Sequence, residues 1–258
     1  KDVNAIIIGV IGRAQKHYDV QIHAFVFMST HYHMLLTVRD ADIKSAFVGF
    51  INCNITKKLN ALNTRTGAAW QRRFTSIPVA KDRTTQVRRL QYLLSHGVKE
   101  RLVERAKDWP GASSLPWLVE GRPIRGIWTS FTKRYYARKR TNYVERNEAF
   151  ETVYTLKMSP LPCWGGLPDS AWRTLVIKLI RDLEDEAAAE RAKAGVSVLG
   201  AEAVLAADPR ESVAMLQPKR APSVHAVDPS TRLFLCQQLR NTRVAYTRSS
   251  KLFRSGQW

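Results

Sequence analysis

The chain has 258 residues, enough for one large or two small domains with a real core, and its 45% hydrophobic content is that of a globular protein. A formal net charge of +19 argues against a typical small-molecule enzyme and for a polyanionic partner, most simply nucleic acid. The competing polyanion, a membrane surface, finds no run of about eighteen apolar residues, no signal peptide and no lipidation motif, and the widely spaced Cys53, Cys163 and Cys236 predict a reducing compartment without a disulfide framework or zinc knuckle.

Asp2 to about Lys16 reads as a helix, with Val3, Ile6, Ile7, Val10 and Ala14 on one side. Val20 to Met28 is an apolar, β-branched run that reads as a strand. Ser29-Thr30 makes a short turn, and His31 to Val38 forms the second strand of a hairpin. Ala41 to about Asn63 is a longer helix, with Ile43, Phe47, Phe50, Ile51 and Leu59 on its buried face. Trp70 to Ala80 reads as a third strand and Thr84 to about Gly97 as a helix with Val87, Leu90 and Leu94 turned inward. A short helix from about Val98 to Ala106 leads into the turn Asp108-Trp109-Pro110-Gly111. This order predicts an α+β layer, an antiparallel sheet with helices on one side.

Beyond Ser114 the pattern changes, so residues 1–114 and 115–258 are read as two units, the second basic and mainly helical. Gly121 to Lys139 mixes aromatic and basic residues, and Thr152 to Met158 has strand character. Ser170 to about Ala194 is a strongly amphipathic helix. Residues 195–228 read as a partly ordered connector, and Thr231 to Phe253 as a final basic helix.

Chemistry is carried by His31-Tyr32-His33. Residues two apart on a strand share a face, so both imidazoles leave one side of the sheet while Tyr32, Met34, Leu36 and Val38 leave the other. Two neutral imidazoles on a rigid face make half of a divalent-metal site; an ordinary pair of hairpin histidines is the plain alternative. Downstream, Tyr92 and His96 are four apart and share one face of their helix. A third nitrogen ligand and a phenol are thereby offered from one helix to a metal held on the sheet. A metal can polarise a phosphodiester, and an activated phenol can attack it. His23 reads as a packed or hydrogen-bonded residue, and His17 and His225 as surface residues.

These residues resemble the HUH single-tyrosine transposases, and within them the bacterial REP-associated tyrosine transposases. The resemblance rests on His23 to Leu36, Gln91 to Lys99, Leu102 to Arg105 and Asp108 to Ser114. It extends to Ser159–Trp164, Leu199–Pro209 and the final basic helix. It implies the HUH palm, a ferredoxin-like antiparallel sheet, whose first strand is expected to be missing from this chain. It also implies a divalent ion, Mg²⁺ or Mn²⁺, held by His31, His33 and the residue one turn after the tyrosine. That residue is His96, where the family usually has Asn or Gln. Tyr92 would attack single-stranded DNA to give a 5′-phosphotyrosine and a free 3′-hydroxyl, and reversal would join strands. The substrate implied is hairpin-forming DNA, the setting the bacterial cytoplasm at the nucleoid, and the assembly a monomer or homodimer.

Further DNA contacts are expected from Arg72 and Arg73, only one of which would face the strand, and from Lys133, Arg134, Tyr135, Arg138, Lys139 and Arg140, where cations can meet phosphates and tyrosines can stack on bases. Two rival functions stay open. One is a catalytically silent protein that binds DNA or RNA hairpins on the same fold; the other is a hydrolase of small phosphate esters.

Overall fold

The computed structural model describes residues 3–71, 73–139, 147–208 and 221–257. The first helix, α1 (Val3–His17), buries Ile6, Ile7, Val10, Ile11 and Ala14, the spacing of a single helical stripe. Strands β1 (Val20–Phe27) and β2 (Tyr32–Val38) follow as an antiparallel pair. Their two-residue turn is closed by the Met28 N–H donating to the His31 carbonyl at 2.8 Å.

A β-bulge between Ile22 and Ala24 resets the alternation of β1. Val20 and Ile22 face the same core as Phe25 and Phe27, an odd step that a regular strand forbids, while Ala24 and Val26 face a second core. The bulged residue is His23. Its Nε2 lies 2.8 Å from the Thr37 hydroxyl and its Nδ1 3.3 Å from the Ser159 carbonyl, so the packed, hydrogen-bonded role expected of it is observed.

Both faces of this hairpin are covered. On one, α1 and α2 (Ala41–Leu62, capped by Asp40 accepting from the Ile43 N–H at 2.8 Å) supply Val10, Ile11, Phe47, Ile51 and Ile55. On the other lie α3 (Arg83–Lys99), α4 (Leu115–Glu120) and α6 (Asp169–Ala194), with Leu90, Leu94, Leu118, Trp172 and Val176, joined by Trp164 from the 3-10 turn Pro162–Trp164. The single-sided helical layer expected from element order thus becomes two-sided.

Among the described residues of 70–80 the expected strand is not formed. Trp70 and Phe74 still pack on the first core, and the Trp70 indole donates to the Asn52 carbonyl at 3.1 Å, but only an isolated bridge joins Val79 to His225. Aromatic anchoring holds this segment without a ladder, and Pro78 has no N–H to give one. The free edge of β1 is met instead by the chain near Ser113, where Phe27 N–H donates to Ala112 and the Trp109 indole to Phe27, and by Met158–Ser159. That covering segment is the Asp108–Ser114 motif. The helix expected over residues 98–106 is also absent: α3 runs on to Lys99, Arg101 takes a left-handed φ of 57°, and a 3-10 turn spans Ala106–Asp108.

A second antiparallel pair, β3 (Arg125–Thr129) and β4 (Glu151–Thr155), lies against α1. Gly9 and Gly126 make that approach possible, since a Cβ on either would meet backbone of the other element. Between the two strands stands α5 (Phe131–Arg138). Two further helices, α7 (Ala201–Ala206) and the long α8 (Pro229–Arg254), complete the described chain; neither buries a residue. The architecture is α+β with a helical C-terminal region, as the order of elements predicted, and its β structure is two small antiparallel pairs in place of the single sheet expected. Among the described residues no helix is long and apolar enough to cross a membrane.

Candidate metal centre

The site is built where β2 faces α3. Tyr32 pins the strand: its ring stacks on Phe27 at 4.7 Å, its hydroxyl donates to Asn52 Oδ1 at 2.7 Å, and burial pushes its pKa up to about 12. With Tyr32 held in the first core, strand alternation sends His33 to the opposite face, toward α3. His31 lies in the turn just before the strand, exposed, its ring centroid 5.0 Å from that of His33.

Helix α3 contributes the rest. Asp82 caps it, accepting from the Thr85 N–H at 2.7 Å, and Leu90, Leu93, Leu94 and Val98 seat it on the second core. One turn after Tyr92, His96 is only 7% exposed, and its centroid lies 4.2 Å from His33 and 5.8 Å from His31. The next residue, Gly97, admits the close approach of Val103 and Trp109, whose atoms lie 3.1 and 3.3 Å from where a Cβ would stand.

One ring nitrogen from each of His31, His33 and His96 comes within 4.8 Å of the others, the only such set of three or more potential ligands among the described residues. The chemistry of the set suits a metal. The His96 Nδ1–H donates to the Tyr92 carbonyl at 2.9 Å, which fixes the tautomer and leaves Nε2 as a lone-pair donor. All three imidazoles are held below their ordinary pKa. Desolvation is the main cause for each, at the otherwise exposed His31 through the side of its ring that packs toward His33 and His96; for His31 and His33 the neighbouring His96 adds to it, and His33 is lowered to about 4. Neutral imidazoles at pH 7 are the form that coordinates. Zinc, iron, nickel and manganese accept such nitrogen ligands more readily than magnesium, which prefers oxygen.

Tyr92 flanks the triad. Its ring is 4.6 Å from His96 and 5.8 Å from His33, and the residue is 43% exposed. The Arg89 guanidinium lies 5.3 Å from the same ring, and Arg89 Nη1 donates to His225 Nδ1 at 3.3 Å. His225, expected as a lone surface residue, is instead a half-buried partner of Arg89. Arg89 itself, a neighbour of Tyr92, was not singled out from the sequence. Its spacing three residues before Tyr92 on the same helix was the available signal.

The expected DNA-contacting residues do not gather at this site. Arg72 and Arg140 lie outside the described residues. Arg73 is exposed on irregular chain. Lys133, Arg134, Tyr135, Arg138 and Lys139 belong to α5 and its C-terminal cap, beside the β3–β4 pair; there Lys139 Nζ sits 4.6 Å from the exposed Tyr135 ring.

Comparison with known proteins finds similarity over 108 residues to a protein of Haemophilus influenzae named "Putative REP-associated tyrosine transposase", at 27% identity. The aligned part covers 38% of this chain and 61% of that relative, so the chain spans less than two thirds of the relative's length. No family model matches, and no solved structure matches. The chain is thus similar, over part of its length, to a protein named as a transposase.

Proposed function

We propose that the protein nicks and rejoins single-stranded, hairpin-forming DNA in the manner of the REP-associated tyrosine transposases, at the nucleoid of a bacterial cell. One observation carries this reading: a half-exposed phenol stands beside three neutral imidazoles on a basic chain. His31, His33 and His96 would hold a divalent ion, Mn²⁺ fitting their nitrogen atoms better than Mg²⁺. When bound, the ion supplies Lewis-acid polarisation of the scissile phosphate.

The remaining chemistry belongs to the chain. Tyr92 is the nucleophile: its oxygen forms a bond to phosphorus as the bond to the 3′-oxygen breaks. The phenolic proton leaves to solvent and the departing 3′-oxygen takes one up, giving a 5′-phosphotyrosine and a 3′-hydroxyl. Attack by a 3′-hydroxyl on the phosphotyrosine runs the exchange backwards and joins strands without an external energy source. Arg89 stands over the Tyr92 ring, its guanidinium 5.3 Å from the ring centre, and places a fixed positive charge beside the nucleophile where phosphate must approach. Residues 1–114 carry the reacting groups, and residues 115–258, including Lys133, Arg134, Tyr135, Arg138 and Lys139, extend the contact with DNA.

The test is a denaturing-gel assay with a hairpin oligonucleotide and Mn²⁺. The wild-type protein is expected to form a covalent adduct, and Tyr92→Phe none. Equal cleavage by both would remove Tyr92 from the role. Binding without an adduct in any divalent ion would favour the catalytically silent hairpin-binding protein.

A further inference from the structure

Beside Tyr92, and apart from the histidines, a cleft of about 400 Å³ opens between α3 and α6. Its walls follow from helical spacing: Arg88, Tyr92, Ser95 and Lys99 lie along one stripe of α3, and Leu183, Glu186, Ala187, Glu190 and Arg191 along one stripe of α6. Five cations line it (Arg88, Arg89, Lys99, Arg101 and Arg191) against two carboxylates, those of Glu186 and Glu190. Among the described residues no ion pair joins either carboxylate to these cations. Arg191 Nη1 is shut off from solvent and has no hydrogen-bond partner. A buried guanidinium nitrogen left unpaired costs free energy until an acceptor arrives.

We infer that this cleft is the channel for the single-stranded DNA leading to Tyr92, holding the phosphates next to the one attacked. The inference rests on the DNA-nicking reading and adds to it the path of the strand. Val98, Leu183, Ala187 and the Tyr92 ring form the apolar part of the lining, on which an unpaired base can lie, while the flanking arginines and Lys99 meet the backbone. The volume suits one or two nucleotides and is far too small for a duplex. The walls are firmly set: Glu184 of α6 accepts from the Ala106 N–H at 2.8 Å, and Trp164 and Trp172 stack beneath at 6.1 Å. Arg89 ties the mouth to the chain at His225. The surplus of unpaired cations beside a candidate nucleophile identifies the ligand as a polyanion, and the apolar floor identifies it as one with exposed bases.

Equilibrium binding of a fluorescent oligo-dT in EDTA tests the channel separately from the chemistry. Each phosphate contact on a single strand contributes about 0.7 to the slope of log affinity against log salt. The double variant Arg101→Gln/Arg191→Gln is expected to bind about tenfold more weakly near 0.1 M salt and to lose about 1.4 from that slope. Glu190→Gln, which removes a repulsive charge, is expected to bind about twofold to threefold more tightly; that gain cannot come from misfolding. Unchanged affinity and slope in the double variant, or no gain in Glu190→Gln, would overturn the channel. If binding responds as stated while the wild type forms no adduct with Mn²⁺ and a hairpin, the nicking reading fails and the channel stands. If the adduct forms and binding does not respond, the channel alone fails.

Discussion

His33 is held near pH 4 in the folded protein by burial first, then by the neighbouring His96 and His31. In the unfolded chain a histidine titrates near 6.5. Between those values the unfolded state carries a proton that the folded state does not, so stability rises with pH across the window. The contribution is fully present above pH 6.5 and is lost as the pH falls through about 4. Burial lowers His23, His31 and His96 as well, so all four add in one direction. In EDTA, the urea midpoint is therefore expected to fall steadily between pH 7 and 4.5, and His33→Asn to flatten the curve. A midpoint that held or rose on acidification would show that these rings are not shielded as described. The histidine pair and the Tyr92–His96 spacing were legible in the sequence because period two and period four fix faces before any packing is known. Arg191 was not, since nothing local brings residue 191 beside residue 92; only the packing of α6 on α3 does.

At the scale of elements, Gly9 sets two effects against each other. Helix propensity favours Gly9→Ala by about 1 kcal/mol. Packing opposes it, because the new Cβ would meet the backbone of Ile127 and lie 2.7 Å from Trp128 N, and backbone cannot move aside as a side chain can. Forcing α1 away from β3 is expected to cost roughly 1–3 kcal/mol or more, so the variant should be less stable despite its better helix former. Chemical denaturation decides: a midpoint at or above wild type would mean that α1 and β3 do not meet as closely as described. Helices with a continuous apolar stripe, α1, α2, α3 and α6, could be read from sequence, as could the β1–β2 hairpin. The segment at 70–80 could not, because Trp70 and Phe74 look alike whether they belong to a strand or anchor irregular chain. The bulge at His23 was equally hidden: an apolar run with residues buried on both faces shows no alternation to break.

For the molecule as a whole, the charge is distributed rather than gathered at the candidate centre. Helix α8 carries Arg232, Arg240, Arg243, Arg248, Lys251 and Arg254 with no acidic residue, buries nothing, and exposes Phe234, Tyr246 and Phe253. An element that buries no side chain adds little hydrophobic stabilisation, while six cations on one rod offer a long contact to a phosphate chain. The two roles separate cleanly on removal. A chain ending at Asp228 keeps the His225 link to Arg89 and Pro78, so its thermal midpoint is expected to stay within a few degrees of wild type. Its affinity for a hairpin oligonucleotide is expected to drop, and the salt slope to shrink by about 2 to 4 if three to six of those cations meet phosphates. An unchanged slope would mean that α8 stands clear of the DNA and that its exposed aromatic face serves another contact. A collapsed midpoint would mean that the helix is part of the folded core after all.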